Sequence, residues 1–401
     1  MSRLVIALAF LCFAPVCISA DELCPGCNGT GRVGCPACAE PFGVVWVGKC
    51  RGCQGPWAQN RGHCNRCGGT GTCPDCHGNG QACMGCDGSG RVPDGTAGKA
   101  RERKEREAKE AVAAAMKPLK FTIGAWKGQG VDPEKKKYTT QGSWERALGD
   151  WYHLSIDRTT KEGKTTESTG FLTYNRAHES YRYYLFFETG RCSMLSGEAA
   201  RDGRSLLFPF QGADGRDLRW VMALDPDAKK VATGLQAMTE GEWETISEDV
   251  SERVADAPLR LSKTEPAKEL ENLDFLPGSW EEETRFEGRT EKQEYVFESI
   301  LNGHWLRCAG KTDSREFVGM LTFLPEQKEY EYIIFHSDGD ITVYSGRAKN
   351  GRTIEFTPQG KEGVRWTWKL DPDKGRVKEL VEVDDGEGGW KVVAESEAVR
   401  K

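Results

Sequence analysis

The sequence is poor in histidine, in net positive charge and in long apolar runs. It has 6 histidines in 401 residues, and those at positions 153, 178, 304 and 336 share no spacing that would build a metal or catalytic site. The formal net charge is −6, which argues against a general binder of nucleic acid or of anionic membranes. Because no catalytic constellation stands out, we expect a protein that is not an enzyme.

The first 20 residues have the pattern of a secretory signal peptide. Arg3 precedes an apolar run from Leu4 to Cys17, and small residues lead to Ala20 before Asp21. The run is short for a membrane span, so we expect cleavage near Ala20 and export to the periplasm or the extracellular space. An uncleaved anchor is the alternative. After cleavage we expect no membrane span, because no other segment is apolar enough.

Cysteine is abundant, with 16 residues, and twelve of them form six Cys-x-x-Cys pairs. Two thiolates at this spacing can reach one ion, and two such pairs complete a tetrahedral zinc site. We therefore expect residues 21–92 to form a cysteine-rich domain that binds about two or three Zn²⁺. Exported proteins favour disulfides, so a disulfide framework stays open as the alternative. The candidate metal ligands are Cys24, Cys27, Cys35, Cys38, Cys50, Cys53, Cys64, Cys67, Cys73, Cys76, Cys83 and Cys86.

Residues 93–118 predict a charged helical linker. Arg, Lys, Glu and Ala dominate from Lys99 to Met116, and Glu102 precedes Arg106 by four residues, which supports an exposed helix. Pro118 ends it. We interpret the helix as a solvated spacer rather than as an interaction surface.

From Leu119 onward the chain repeats itself. Gly124-Ala-Trp126 recurs as Gly278-Ser-Trp280, and other motifs recur in the same order. Aromatic-rich segments predict strands, and the dipeptides Asp202-Gly203 and Asn350-Gly351 predict hairpin turns. We expect a mainly β chain with two homologous antiparallel barrels or sandwiches, at 119–263 and 264–401.

The cysteine-rich segment resembles the zinc ribbon of DnaJ-type (Hsp40) co-chaperones. The shared motif is Cys-x-x-Cys-x-Gly-x-Gly, at Cys24, Cys64, Cys73 and Cys83, and no His-Pro-Asp motif of a J-domain occurs. The resemblance implies binding of unfolded proteins and of heat-shock proteins. It also implies nested zinc sites that join the first pair to the sixth, the second to the fifth and the third to the fourth. Sequential pairing of neighbouring pairs is the alternative.

Protein clients would need an apolar surface on this ribbon. The segment from Phe42 to Trp57 is its most apolar part, so it is a candidate for a client-binding tip. Packing of these residues between zinc sites explains the segment equally well.

Both repeats resemble exported bacterial domains of the calycin, or lipocalin-like, type. The signature is the Gly-x-Trp motif that opens the first strand, at Trp126 and Trp280, followed in the second copy by Asn302-Gly303-His-Trp305. The resemblance implies that the first tryptophan packs across the closed end of the barrel. Barrels of about eight strands can hold one small apolar ligand, so a ligand in the barrels is expected as a further partner.

Several other residues have a structural explanation that we prefer to a functional one. His63 and His77 lie beside cysteines, but a full cysteine set makes them surface groups. Cys192 and Cys308 are expected to be single buried thiols rather than a bridge. Asp225, Asp227, Asp371 and Asp373 predict turns rather than a calcium site. Core packing is the default for Trp144, Trp151, Trp220, Trp243, Trp305, Trp366, Trp368 and Trp390, with a pocket as the alternative.

Together these features predict an exported, zinc-binding protein without enzymatic activity, in which a ribbon that binds protein partners precedes two lipocalin-like barrels. Two alternatives remain. The Cys-x-x-Cys pairs have the spacing of a thiol–disulfide exchange protein, and the barrels are compatible with a carrier of small hydrophobic ligands.

Overall fold

The computed structural model describes residues 96–401, apart from 177, 213, 287–288, 313–314 and 361, with side chains from residue 106 and without that of residue 289. The signal peptide, the twelve candidate metal ligands and the Phe42–Trp57 segment therefore lie outside the described residues.

A single α-helix, α1, spans Thr96–Ala115 in the described part of the chain. On it Arg106 and Glu110 form an exposed i,i+4 ion pair at 3.9 Å. The C-terminal end is not a free spacer, because Val112 and Met116 are buried and the Tyr181 hydroxyl donates a hydrogen bond of 2.7 Å to the Ala115 carbonyl. Among the residues described, no helix has the length and apolarity to cross a bilayer.

The first repeat folds into a closed antiparallel barrel of ten strands. Each strand pairs with the next one along the chain, and the last closes on the first through pairs such as Trp126 with Arg253. The strands are β1 Gly124–Val131, β2 Lys137–Ala147, β3 Tyr152–Lys161, β4 Lys164–Asn175, β5 Ser180–Phe187, β6 Cys192–Ala199, β7 Ser205–Gln211, β8 Asp217–Asp225, β9 Lys230–Thr239 and β10 Glu242–Val254.

The second repeat forms an equivalent closed barrel of ten strands. The expectation of a mainly β chain with two tandem antiparallel barrels is confirmed, with ten strands in each barrel instead of about eight. The strands are β11 Gly278–Phe286, β12 Arg289–Ile300, β13 Trp305–Thr312, β14 Glu316–Leu324, β15 Glu329–His336, β16 Ile341–Asn350, β17 Thr353–Pro358, β18 Val364–Asp371, β19 Arg376–Asp384 and β20 Trp390–Arg400.

The Gly-x-Trp motif builds the same local structure at the start of each barrel. A 3₁₀ helix, Lys117–Thr122 or Lys268–Leu273, precedes the first strand. Trp126 Nε1 donates to the Thr122 carbonyl at 2.5 Å, and Trp280 Nε1 donates to the Leu276 carbonyl at 2.6 Å. Both indoles are buried, so each tryptophan ties the segment that precedes its strand to the barrel.

The backbone conformation favours glycine in this motif, and an arginine side chain of the last strand lies against it. Gly278 has φ +139°, and a Cβ there would lie 2.9 Å from Nε of Arg400, in the last strand. Gly124 is equivalent, with φ +131° and the Arg253 guanidinium against it. The last strand therefore closes the barrel directly over a residue without a side chain.

The predicted turns are present. Asp202 and Asn350 each accept a hydrogen bond from the backbone N–H two residues later, at 2.8 and 2.9 Å, between β6 and β7 and between β16 and β17. The Asp225 carboxylate caps a turn after β8, and Pro372–Lys374 form a 3₁₀ turn after β18. These aspartates therefore serve local backbone geometry.

The two barrels pack together through equivalent strands, β3–β5 of the first and β13–β15 of the second, which we call the interbarrel interface. Strand β15 shows why its sequence is apolar on both faces. Tyr330, Tyr332 and Ile334 belong to the core of the second barrel, whereas Phe335 contacts rings of the first barrel. Side chains of a strand alternate between its faces, and here both faces are covered.

The interface contacts are reciprocal, as in a two-fold arrangement. Tyr152 and Trp305 open equivalent strands, β3 and β13. The Tyr152 hydroxyl donates to the Asp340 carbonyl at 3.1 Å, in the β15–β16 turn. Trp305 Nε1 donates to the Phe187 carbonyl at 2.9 Å, at the equivalent β5–β6 turn. Each barrel thus inserts the same strand end into the same turn of the other.

Candidate functional site

The interior of the second barrel carries two buried carboxylates. Glu282 lies on β11 and Glu379 on β19, and they are 6% and 7% exposed. Both strands flank β20, where Glu282 is paired with Ala398 and Glu379 with Ser396. We call this interior, with Glu282, Glu379, Tyr332, Tyr344, Trp366 and Trp368, the second lumen.

Each carboxylate accepts a hydrogen bond from the second lumen. Trp366 Nε1 donates to Glu379 Oε2 at 2.8 Å, and Thr284 Oγ1 donates to Glu282 Oε1 at 3.0 Å. Burial raises the pKa of Glu379 well above its ordinary value, and the nearby Glu282 raises it further. The hydrogen bond from Trp366 and the nearby Trp368 indole act against this shift without cancelling it. The folded protein therefore holds the proton of Glu379 to higher pH than the unfolded chain does.

Aromatic rings form the wall beside Glu379. The Trp366 ring is stacked with Tyr332 at a centroid distance of 5.9 Å, and it contacts Tyr344 at 5.3 Å and Trp368 at 5.2 Å. Trp366 and Tyr344 are only half-buried, although both pack against the core of this barrel. Each of these two rings therefore combines a packed part with surface that solvent can reach.

One polar group of this wall has no partner. Trp368 is 3% exposed, and its Nε1–H makes no hydrogen bond within the described part of the chain. The same indole lies close enough to Glu379 to favour ionisation of that carboxyl. A buried donor without a hydrogen bond carries a desolvation cost, so the second lumen holds unused hydrogen-bonding capacity.

Cys308 also faces the second lumen, close to Tyr332. Strand register places it where the first barrel has Ser155, and there the Ser155 and Tyr183 hydroxyls are 2.7 Å apart. Burial raises the pKa of the Cys308 thiol, so it is not an activated nucleophile.

Cys308 is buried and Cys192 half-buried, and neither is in a disulfide. The expectation of single thiols is confirmed, with Cys192 less buried than expected.

The interior of the first barrel, which we call the first lumen, has its own carboxylates, Asp157 and Asp249. Asp249 accepts hydrogen bonds from the hydroxyls of Thr140 and Ser251, both at 3.0 Å. Burial raises the pKa of Asp157 to about 7. These carboxylates are polar groups satisfied largely by hydroxyls rather than by indoles.

The lumenal carboxylates of the two barrels stand at non-equivalent positions of the shared fold. Gly128 and Thr233 occupy the first-barrel positions equivalent to Glu282 and Glu379. Conversely, Gly310 and Ser396 stand where the first barrel has Asp157 and Asp249. The repeats share a backbone and differ in the chemistry of their interiors, so they are not two copies of one site.

The four histidines of the described barrels lie apart from one another, whereas His63 and His77 lie outside the described residues. His153 and His336 are largely buried, and burial lowers the pKa of each to about 4. Their Nδ1 atoms have no hydrogen-bond partner among the described residues. His178 is exposed and His304 half-buried. In the described ranges, no group of three or more His, Cys, Asp or Glu residues is placed to hold a metal.

The eight tryptophans for which core packing was expected divide into three groups. Trp151 and Trp305 are buried at the interbarrel interface. Trp144, Trp220, Trp366 and Trp368 pack with the inward-facing tyrosines of the two lumens. The core prediction is wrong for Trp243 and Trp390, which lie under Arg219 and Arg365 in cation–π contacts at 4.2 and 4.3 Å.

The lumenal carboxylates were not among the residues predicted from the sequence. In β19 the residues Val377, Glu379 and Val381 alternate with outward-facing ones, so Glu379 occupies a position of the apolar face. A charged residue at an inward position of an otherwise apolar face is the signal that was available. It also went unrecognised for Glu282, two residues after the motif tryptophan.

A cavity of about 250 Å³ lies between the barrels. Leu154, Phe171 and Met320 form its apolar part, and Arg260 and Arg307 contribute charge. Its charges are paired within the protein, because Arg260 contacts Glu145 at 3.7 Å and Arg307 contacts Glu298 at 3.2 Å. We therefore regard the second lumen as the stronger candidate site.

No protein-family model matches the chain, and no curated protein matches it. Among solved structures, the Mycobacterium tuberculosis protein Rv2717c is 17% identical with a TM-score of 0.28, over 36% of this chain and 99% of that one. A Nostoc punctiforme protein of the DUF3598 family, of unknown function, is 12% identical with a TM-score of 0.22, over 70% of this chain and 97% of that one. With TM-scores this low, the barrel architecture rests on the strand pairing itself.

Proposed function

We propose that this chain is an exported, zinc-binding protein without enzymatic activity, whose cysteine-rich segment binds protein partners. The observation that carries the proposal is the set of six Cys-x-x-Cys pairs between Cys24 and Cys86. Thiolates are preferred zinc ligands, and paired cysteines supply the four that a structural site needs. A segment of this size has little core of its own, so metal binding would supply its folding free energy.

Zinc content is the direct test of this proposal. The mature protein is purified without oxygen, and its zinc is measured by elemental analysis, with a thiol titration before and after a chelator. We expect two or three zinc ions per chain and about twelve thiols that react only after chelation. A folded, metal-free chain with these cysteines joined in disulfides would overturn the proposal.

Thiol–disulfide exchange is the competing activity of the same cysteines. It requires at least one exposed pair with a lowered thiol pKa, and it predicts reduction of insulin disulfides by the purified protein. Under the zinc proposal the holoprotein has no such activity, and removal of the metal unfolds the segment instead of activating it.

Partner binding by the cysteine-rich segment is tested with a denatured client protein. The Phe42–Trp57 stretch provides the apolar surface, so we expect the zinc-loaded chain to suppress aggregation of the client. The double variant Trp46→Ser and Trp57→Ser should lose this effect while keeping its zinc. If suppression persists, these residues pack between zinc sites and the client surface lies elsewhere.

The second function we propose is binding of a small ligand in the second lumen. The specific support is the half-buried surface of Trp366 and Tyr344 beside the core of this barrel. Native mass spectrometry of protein from its own host should show a retained mass that denaturation releases. A mass equal to that of the polypeptide and its zinc, in protein prepared without detergent, would contradict this proposal.

A further inference from the structure

This inference rests on the proposal that the second lumen holds a small ligand, and it concerns the ligand's charge. We propose that the second lumen binds an organic cation, with an alkylammonium group placed against Glu282, Glu379 and the ring of Trp366. Two independent features support this assignment, an acidic pair without a counter-charge and an aromatic wall with an unpartnered donor.

Glu282 and Glu379, which we call the acidic pair, have no basic side chain beside them in the described part of the chain. Neither Glu282 nor Glu379 forms an ion pair with any described residue, whereas carboxylates nearby, such as Glu382 with Arg365 at 2.7 Å, do so. The groups that influence Glu379 are Glu282 and the two indoles, with no lysine or arginine among them. Two buried carboxyl groups are costly to ionise without a counter-charge, and a cationic ligand would stabilise their ionised forms.

The aromatic wall suits an alkylammonium group. The Trp366 indole, which donates to Glu379, has the rings of Tyr332 and Tyr344 around it at centroid distances of 5.9 and 5.3 Å. Ring faces attract organic cations, and several rings together recognise quaternary ammonium groups. Trp368, whose Nε1–H is buried without a hydrogen-bond partner among the described residues, adds a second donor close to Glu379.

A metal ion fits this site less well. Hard divalent cations take six or more oxygen ligands, and the lumen offers two carboxylates, of which one accepts an indole N–H. The described residues contain no cluster of three or more metal-ligating side chains. Indole N–H groups donate hydrogen bonds and do not coordinate metals. With few metal-coordinating atoms and several aromatic rings, the second lumen favours an organic cation over a metal ion.

The first barrel is an internal control for this inference. It has Gly128 and Thr233 at the two positions of the acidic pair. Its own Asp249 is held by two hydroxyl donors. A cation that requires Glu379 should therefore bind only one site per chain, and Asp249→Asn should not affect it.

The test compares a cationic probe with its neutral isostere. Benzyltrimethylammonium and neopentylbenzene, which have the same shape, are titrated into the full-length zinc-loaded protein, with tryptophan fluorescence and calorimetry as readouts. We expect the cation to bind at least about tenfold more tightly. We expect Glu379→Gln to weaken the cation about tenfold or more and to leave neopentylbenzene unchanged, while Asp249→Asn changes neither.

The outcomes separate this inference from the function on which it rests. Equal binding of the two probes would overturn the cationic assignment and leave a ligand-binding lumen in place. Binding of neither probe would contradict both proposals. Saturable binding of magnesium alone, lost in Glu379→Gln, would replace the organic cation by a metal. If Glu379→Gln fails to fold, Glu282→Gln takes its place, and the comparison of probes on the unmodified protein still decides the question.

Discussion

Phe171 of the first barrel stacks on Phe335 of the second, with ring centroids 4.3 Å apart and planes 15° from parallel. Phe335 is also in edge contact with Tyr152 at 5.5 Å, Tyr184 at 5.2 Å and Phe186 at 6.2 Å. One side chain of the second barrel is therefore enclosed by four rings of the first. This relationship makes the two barrels a single packed unit rather than two linked domains.

Truncation of Phe335 should uncouple the barrels. Phe335→Ala removes a side chain with 0% exposure, so we expect a loss of about 3–5 kcal/mol in the free energy of unfolding. We also expect the single denaturation transition of the paired barrels to split into two. Denaturant unfolding followed by fluorescence and circular dichroism measures both effects.

The matched control is Phe286→Ala, because Phe286 is 47% exposed in the same barrel. Its effect should stay within about 0.5 kcal/mol, as expected for a surface substitution. If Phe335→Ala behaves like this control, the interface does not couple the barrels.

Gly339 should be intolerant of any side chain. It has φ +89°, and a Cβ would lie 2.5 Å from the ring of Trp151, which is enclosed at the interface. Gly163 has a similar φ of +77° with nothing within 4 Å of its Cβ position. Both alanine variants carry backbone strain of about 1 kcal/mol, and Gly339→Ala adds overpacking of about 1–3 kcal/mol. In thermal unfolding, the melting temperature of Gly339→Ala should lie well below that of Gly163→Ala. Equal melting temperatures would contradict the clash with Trp151.

The fold was predictable from the sequence where the pattern is local. Dipeptides such as Asp202-Gly203 are typical of tight hairpin turns. The repeat of Gly124-Ala-Trp126 as Gly278-Ser-Trp280 identifies the duplication. The number of strands in each barrel was harder to predict from the sequence. Barrel closure depends on register and tilt across all strands, which no single segment encodes.

The site was harder to predict for a physical reason. Whether Glu379 faces water or the lumen depends on one residue of register, and only the pairing of Trp368 with Glu379 fixes it. The interbarrel interface was equally inaccessible. The outward apolar residues of β15, such as Phe335, look identical in sequence to those of a strand that is buried on both faces within one domain.

Cys308 should be replaceable by serine at little cost. Buried Cys→Ser changes usually bury a hydroxyl without a partner, but the equivalent Ser155 already bonds to a tyrosine hydroxyl in the first barrel. We expect Cys308→Ser to stay within about 1 kcal/mol of the unmodified protein, because Tyr332 can accept the same bond. Chemical denaturation measures this difference.

The test of the mechanism is a double-mutant cycle with Tyr332→Phe. Removal of the tyrosine hydroxyl should make Cys308→Ser more costly, since the serine then lacks its partner. Additive effects of the two changes would show that the bond of the first barrel is not reproduced in the second.

Stability should fall as pH rises wherever Glu379 keeps its proton. An ordinary glutamate ionises near 4.5, whereas burial and Glu282 raise the pKa of Glu379 well above that. Between these two values the folded chain binds one more proton than the unfolded chain, so the free energy of unfolding decreases with increasing pH. Glu379→Gln cannot ionise and should remove this slope, so its stability relative to the unmodified protein should increase from acidic to neutral pH.

Glu382→Gln is the control with the opposite sign. Arg365 donates to both carboxylate oxygens of Glu382, at 2.7 and 2.9 Å, and lowers its pKa. The stabilisation is therefore present above the unfolded-state pKa and lost as the pH falls through the folded value. Glu382→Gln should be less stable than the unmodified protein at neutral pH, with the difference shrinking in acid. Denaturant titrations across the pH range measure both trends, and parallel pH profiles for the two variants would show that Glu379 is not held in its protonated form by the second lumen.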